Sequence, residues 1–470
     1  MTSVPEIRIR EGNSGTLRAH GDFVLYWMTA FRRLSWNYAL DFAVDLSREL
    51  SKPLVILEIL KVDYPYASHR LHTFMLNGLA ERSRQLAGGP VFHYPFVEKE
   101  PQAGDGLLLA LSRQACAVVA DDYPSFFLPA WIEEEARRLP VRLDLVDSNG
   151  ILPLRSADRT FTAAYHFRRF LQKQLPNLLA EKPMAEPLSG SLAGGEGCVD
   201  AETLSGWPRT LLEERTELES LVKDLPLDSA VPPVDILGTT HAARDRLEAF
   251  LANSLQRYHE DGNHPDREAT SYLSPYFHFG NLSTHEVFAQ LSSWEGWTPL
   301  RLAEKTDGSR KGWWGMSPGA EAFLDQLITW RELGFNYSSR RNDWADFGSL
   351  PDWAQKTLNE HEGDPRPHIY SYDEFLGART HDPLWNAAQR QLLDQGVIHN
   401  YLRMLWGKKI LEWSASPRDA LEFMIELNNK YALDGRNPNS YSGIFWVLGR
   451  YDRAWGPERP IFGKVRYMSS

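Results

Sequence analysis

Four short and almost unbroken apolar runs fall in the first 150 residues: FVLYWM (23–28), PLVILEIL (53–60), ACAVVADD (115–122) and VRLDLVD (141–147). Apolar runs of this length, without polar alternation, fit strands buried on both faces. Helical patterns near 31–50, 68–88 and 126–139 lie between them. Strands alternating with helices in this way predict a doubly wound parallel sheet, an α/β domain over residues 1–150. No GxGxxG and no P-loop lysine follows any of these strands, which argues against dinucleotide or nucleoside triphosphate sites of those kinds.

The pattern then changes twice. Residues 151–240 gather Pro, Ser and Gly in PNLLAEKPMAEPLSGSLAGGEG (176–197), followed by an acidic stretch from Glu213 to Asp228. That composition predicts an inter-domain linker with some helix in it. From His241 to the end, apolar residues recur at helical spacing, so an all-α domain is expected over 241–470. Ser274 followed by Pro275 marks one helix start, and Ser283 with Glu286 reads as a capping box.

Several function classes drop out on composition. Two cysteines, Cys116 and Cys198, are too few for a disulfide framework or a thiolate metal site and suit a reducing compartment. The opening MTSVPEIRIREGN is polar, and no run approaches the roughly 18 apolar residues of a membrane span. A soluble, cytoplasmic protein without membrane contact is expected. The net charge of −11 argues against a general nucleic-acid binder. It is unevenly spread, however: residues 381–470 hold 12 Lys+Arg against 9 Asp+Glu, or +3, leaving −14 for residues 1–380. The tail GRYDRAWGPERPIFGKVRYMSS interleaves cations with aromatics, which suits a phosphate backbone and equally a solvated terminal segment.

The helical part carries the residues of chemical interest. HNYLRMLWGKKILEWS (399–414) sets Trp406 and Trp413 seven residues apart, on one helix face and about 10 Å apart along the axis. Such a pair serves core packing, and it is also close enough for electron hopping. In TSYLSPYFHFGNLS, Thr270, Ser271, Tyr272, Leu273 and Ser274 lead into a helix start, where hydroxyls either cap the helix or help hold an anion. Arg403 is a cation on an apolar helix and needs a carboxylate; Asp434, in LDGRNPNS, is the candidate. Asn428 is a polar residue at the end of another apolar helix.

YLSPYFHFGNLS, THDPLWNAAQ, YLRMLWGKKILEWS, LNNKYALDGRNPNSYSGIFW, YDRAWG and GKVRYMS together resemble the class II photolyases of the photolyase/cryptochrome family. The resemblance is dense from about residue 240 onward and looser from VLYWM through the N-terminal part. It implies an N-terminal α/β domain, a linker and a helical domain holding folded FAD. It also implies blue-light repair of cyclobutane pyrimidine dimers that flip out of damaged double-stranded DNA, by a monomer. Tyr258 and Thr270–Ser274 match flavin and phosphate contacts. Arg403 with Asp434 matches the pair beside the isoalloxazine ring, and Asn428 the residue facing flavin N5. Trp406, Trp385 and Trp413 match a tryptophan relay that photoreduces the flavin, with Tyr370 as an auxiliary. Trp330, Met404, Trp446, Trp455 and Arg466 match the lesion pocket and its rim.

The chain departs from that pattern in places. Gln326 stands where the family has a glutamate that hydrogen-bonds the dimer, and Gly262 where it has a DNA-contacting arginine. Residues 294–316 form an insertion. FRRLSWN (31–37) differs from the usual first helix, which bears on a second, deazaflavin-type antenna chromophore. The alternative expectation is a cryptochrome-like photoreceptor with weak or lost repair, and a third is a light-independent flavoprotein that binds a partner.

Overall fold

In the computed structural model, residues 2–212 and 214–470 are described, so Glu213, the first residue of the acidic stretch, lies outside the described residues. The chain forms two compact units. The first consists of Met1–Ser156, Asn177–Asp245 and Leu273–Gln290; the second of Ala157–Pro176, Arg246–Tyr272 and Leu291–Ser470. Segment 151–240 thus contributes to both.

The first unit is built on a six-stranded sheet: β1 (Ile9–Glu11), β2 (Phe23–Trp27), β3 (Leu54–Leu60), β4 (Phe92–Val97), β5 (Ala115–Asp121) and β6 (Leu143–Val146). The spatial order is β1-β6-β5-β2-β3-β4. β2 to β6 run parallel, with Val24 opposite Leu54 and Leu25 opposite Val118, and β1 is an antiparallel edge on β6. Every residue of β2, β3 and β5 is buried, which is why their sequences read as continuous apolar runs. Helices α1 (Tyr38–Leu50), α2 (His69–Leu86), α3 (Leu107–Gln114) and α4 (Leu128–Ala136) connect the strands. The helix expected from residue 31 begins only at Tyr38, because the Asn37 side chain accepts the Ala39 N–H at 3.0 Å and caps it there.

Charge inside this unit is paired within the unit. Arg82 clamps Glu58 at 2.5 and 2.7 Å, and His93 Nε2 lies 3.0 Å from the same carboxylate. Burial alone would raise the Glu58 pKa, but Arg82 and His93 together hold it well below the usual carboxylate range. Between the carboxyl ends of β2 and β5, where open α/β sheets commonly bind ligands, Asp121 takes the available donors. One of its oxygens accepts the backbone N–H groups of Thr29, Ala30 and Phe31 at 2.6–2.9 Å, and the other accepts Tyr26 Oη–H at 2.7 Å. The expected capping box is half formed. Ser283 accepts the His285 N–H at 3.2 Å, while Glu286 turns instead to Arg244 Nε at 2.6 Å.

The second unit is helical, as the 3.6-residue periodicity predicts. Its helices include Ala164–Leu178, Pro318–Leu324, Arg331–Ser338, Pro383–Gln395, Asn400–Trp413, Pro417–Tyr431 and Pro438–Val447. Between Pro318–Leu324 and Arg331–Ser338, residues Asp325–Trp330 are wound as a π-helix. Arg168 and Asp325 anchor this stretch through a buried bidentate pair at 2.7 and 3.1 Å. The fold is therefore an α/β part with a mostly parallel sheet, followed by a helical region. Among the described residues no helix is long and apolar enough to cross a membrane.

Candidate active site

The helix Asn400–Trp413 organises the site. His399 caps it, its Nδ1 accepting the Tyr401 N–H at 3.3 Å. Arg403, one turn in, donates from both terminal nitrogens to Asp434 at 2.9 and 3.1 Å. This forked pair is the one expected from the sequence, and its planar geometry holds the guanidinium at a fixed angle. Arg403 Nε remains without a hydrogen-bond partner among the described residues, as do His399 Nε2, Gln389 Nε2 and Thr270 Oγ1, all buried. Burial pushes the His399 imidazole pKa down, so a neutral ring with one vacant nitrogen faces this neighbourhood. Buried polar atoms left unmatched cost free energy, so a donor- and acceptor-rich ligand such as FAD fits this set.

The three candidate tryptophans are buried: Trp385 is 1% exposed, Trp406 2% and Trp413 4%. Trp406 Nε1 donates to Gln389 Oε1 at 2.8 Å, and Trp385 Nε1 to the Trp406 carbonyl at 3.0 Å. The Trp385 and Trp413 rings lie 6.2 Å apart between centroids, and Tyr370 follows at 5.9 Å from Trp413. The structure thus brings the residues together in the order Trp406, Trp385, Trp413, Tyr370. Trp413 is as enclosed as the others, so the ring that reaches toward solvent is the half-buried Tyr370.

Other candidates fall in several places. Asn428 is buried and donates to Ser440 Oγ at 2.7 Å. The Tyr258 ring packs edge-on against Phe250 and Phe323, and its hydroxyl pKa is pushed up to about 12 by burial and then by the charge of Asp325. Thr270, Ser271 and Tyr272 belong to the second unit and Leu273 and Ser274 to the first. Leu273 is buried core, and Tyr272 adopts a left-handed φ of 52°. Ser274 is not the cap of its helix; Leu273 holds that position without a side-chain bond, and Ser274–His278 is only five residues long. An anion site based on that helix terminus is therefore weak, because so short a helix has little dipole.

Gln326 projects from the π segment and is exposed, while Trp330, at its end, is half-buried, as is Met404. Arg466 and Arg453 lie on either side of the sequence position of Trp455 and both contact its ring, at 4.3 and 4.5 Å. Arg466 also reaches Trp446 at 5.6 Å and pairs with Asp452 at 3.1 Å, whose other oxygen accepts Trp455 Nε1–H. Two residues of this cluster were not singled out from sequence. Arg453 was legible only as one of several tail cations. Lys408, 1% exposed, donates to the Val447 carbonyl at 2.6 Å and sits 4.9 Å from the Trp446 ring. Burial lowers its pKa to about 7, partly offset by Asp452. A lysine within an apolar helix stretch was the available signal.

The insertion 294–316 is packed rather than loose. Trp297 Nε1 donates to the Trp314 carbonyl at 2.6 Å, and Glu321 accepts the Gly312 and Gly315 N–H groups.

No family model matches the chain. It is 34% identical over 463 residues to the deoxyribodipyrimidine photo-lyase of Methanothermobacter thermautotrophicus, covering 98% of this chain and 94% of that one. The chain belongs to the photolyase/cryptochrome family. The family's photo-lyase from Potorous tridactylus is 32% identical over 464 residues, covering 95% of this chain and 77% of its own. That from Arabidopsis thaliana is 32% identical over 454 residues, with 95% and 85% covered. Among solved structures, a bacterial class III photolyase from Agrobacterium tumefaciens superposes with a TM-score of 0.65 at 18% identity, covering 93% of this chain and 81% of its own. At that identity the likeness concerns the fold. Members of the family bind FAD, the cofactor for which the unmatched polar atoms around Arg403 were found suitable.

Proposed function

We propose that this chain is a class II photolyase, repairing cyclobutane pyrimidine dimers in double-stranded DNA under blue light as a monomer. The observation that carries the reading is the buried relay of Trp406, Trp385 and Trp413 beginning one turn from the Arg403–Asp434 pair. Bound and reduced, FAD supplies the photoexcited electron that splits the dimer. Arg403 and Asp434, with Asn428, Tyr258 and the Thr270–Ser274 stretch, hold and orient the cofactor. The relay carries electrons inward to keep it reduced. Trp446, Trp455 and Arg466, joined by Trp330 and Met404, form the aromatic and cationic ground on which an extruded base pair stacks and the DNA backbone is held. A deazaflavin antenna belongs to this reading only as an addition in the α/β part, away from the end of β2 that Asp121 occupies.

Gln326 favours a second reading, a cryptochrome-like photoreceptor. Its neutral amide donates a hydrogen bond but cannot deliver a proton as charge develops on a bound dimer. A repair assay on thymine-dimer duplex, lit against dark, with the FAD-loaded protein decides between them. Light-dependent loss of dimers supports repair; photoreduction without any loss of dimers supports sensing.

A further inference from the structure

The relay differs at its two ends in what accepts its protons. Inside, Trp406 and Trp385 donate to the Gln389 amide oxygen and to a main-chain carbonyl. Neither is a base, so an oxidised indole there keeps its N–H proton and stays easy to re-reduce. Outside, the arrangement is different. The Tyr370 oxygen accepts the backbone N–H of His381 at 3.0 Å, and its own O–H lies 2.8 Å from Nδ1 of the same residue. With one lone pair engaged by the N–H, the phenol proton is directed onto the imidazole nitrogen. The Tyr370 N–H is in turn fixed to the Trp413 carbonyl at 2.9 Å, and the His381 ring stands 4.9 Å from Trp413. His368 stacks on the outer imidazole at 3.8 Å, and His381 is exposed, so a proton taken up there can leave to water.

We propose that Tyr370 is the terminal electron donor of the relay and that His381 is the base that receives its proton. The proposal rests on the relay reading above. In the step, oxidised Trp413 takes one electron from Tyr370 as the Tyr370 O–H bond breaks and an N–H bond forms at His381 Nδ1. The products are neutral indole, a neutral phenoxyl and imidazolium; a soluble thiol later returns the phenoxyl to phenol. Moving the proton out of the pair traps the charge separation, because the hole cannot return to Trp413 without recovering it. The inner, non-basic acceptors keep the hole mobile, and the outer base stops it.

Two measurements on the FAD-loaded protein test this, comparing the parent with His381→Gln and Tyr370→Phe. In the dark, ¹⁵N NMR should show His381 Nδ1 as an unprotonated acceptor, with a resonance that moves in Tyr370→Phe. After a flash, the parent should give a neutral tyrosyl signal by electron paramagnetic resonance. In His381→Gln its formation should slow by roughly 100-fold or more, with a tryptophanyl signal in its place. A protonated Nδ1 in the dark, or an equal tyrosyl yield in His381→Gln, overturns the proposal and leaves the relay reading standing. A parent with neither tryptophanyl nor tyrosyl signal overturns the relay reading and this proposal together.

Discussion

At the carboxyl ends of β2 and β5 both oxygens of Asp121 are satisfied, by three backbone N–H groups and the Tyr26 hydroxyl. At the start of the helix Asn400–Trp413, Arg403 uses two nitrogens on Asp434 and leaves the third unmatched, beside equally unmatched nitrogens of His399 and Gln389. Both regions gather buried charge. The first closes on itself and is structural; the second is complete only with something else bound. A crevice that open α/β sheets generally reserve for ligands is here filled by the protein's own carboxylate, and the ligand-ready atoms lie in the helical part instead.

That contrast can be broken by substitution. The largest effect expected is on the open side: Trp406→Phe should abolish light-driven flavin reduction while FAD stays bound, since phenylalanine fills similar space and is much harder to oxidise. Absorbance during illumination checks this, and parent-like photoreduction would return the tryptophans to simple core packing. On the closed side, Asp121→Ala strands three buried N–H groups and should cost about 3–5 kcal/mol of stability. Urea unfolding followed on the first unit reads that loss; a change below about 1 kcal/mol would mean that water replaces the carboxylate. Arg403→Met should do the reverse, weakening FAD binding by about 1.5–3 kcal/mol, or roughly 10- to 150-fold, with a smaller effect on unfolding than Asp121→Ala. Titration calorimetry with FAD would show it. Last, Gln326→Glu should raise repair quantum yield through a donor that strengthens as charge develops. The gain expected is about 1–3 kcal/mol, roughly 5- to 150-fold in a barrier-limited step, with DNA affinity little changed. Fast repair in the parent with no gain in the variant would show that Gln326 is already compensated.

Four of the six strands were legible because full burial leaves unbroken apolar runs in β2, β3, β5 and β6. β4 escaped notice because FHYPFV contains His93 and Pro95, and His93 is tolerated in a buried strand only by pairing with Glu58. β1 is three residues long and mostly exposed, too short for any periodicity. The Arg403–Asp434 pair was legible because a cation on an apolar helix demands a partner. The Asp121 closure was not, since it depends on backbone N–H groups that bring no residue type with them. Nor was the Tyr370–His381 contact, in which two ordinary loop residues eleven positions apart meet through a turn.

The π-wound turn Asp325–Trp330 makes neighbours serve opposite masters: Asp325 points inward to Arg168, and Gln326 outward. Relative to regular α-winding, such a turn holds one surplus residue, so deleting a single position there would let the backbone relax into an unbroken α-helix. All that follows would then rotate by about 100° against what precedes it. Such a chain could keep the stability of that helix and yet present a different side chain where Gln326 now stands. The identity of the residue at this surface is therefore set by chain length as much as by codon, and a one-residue deletion is a shorter route to a new specificity here than any substitution.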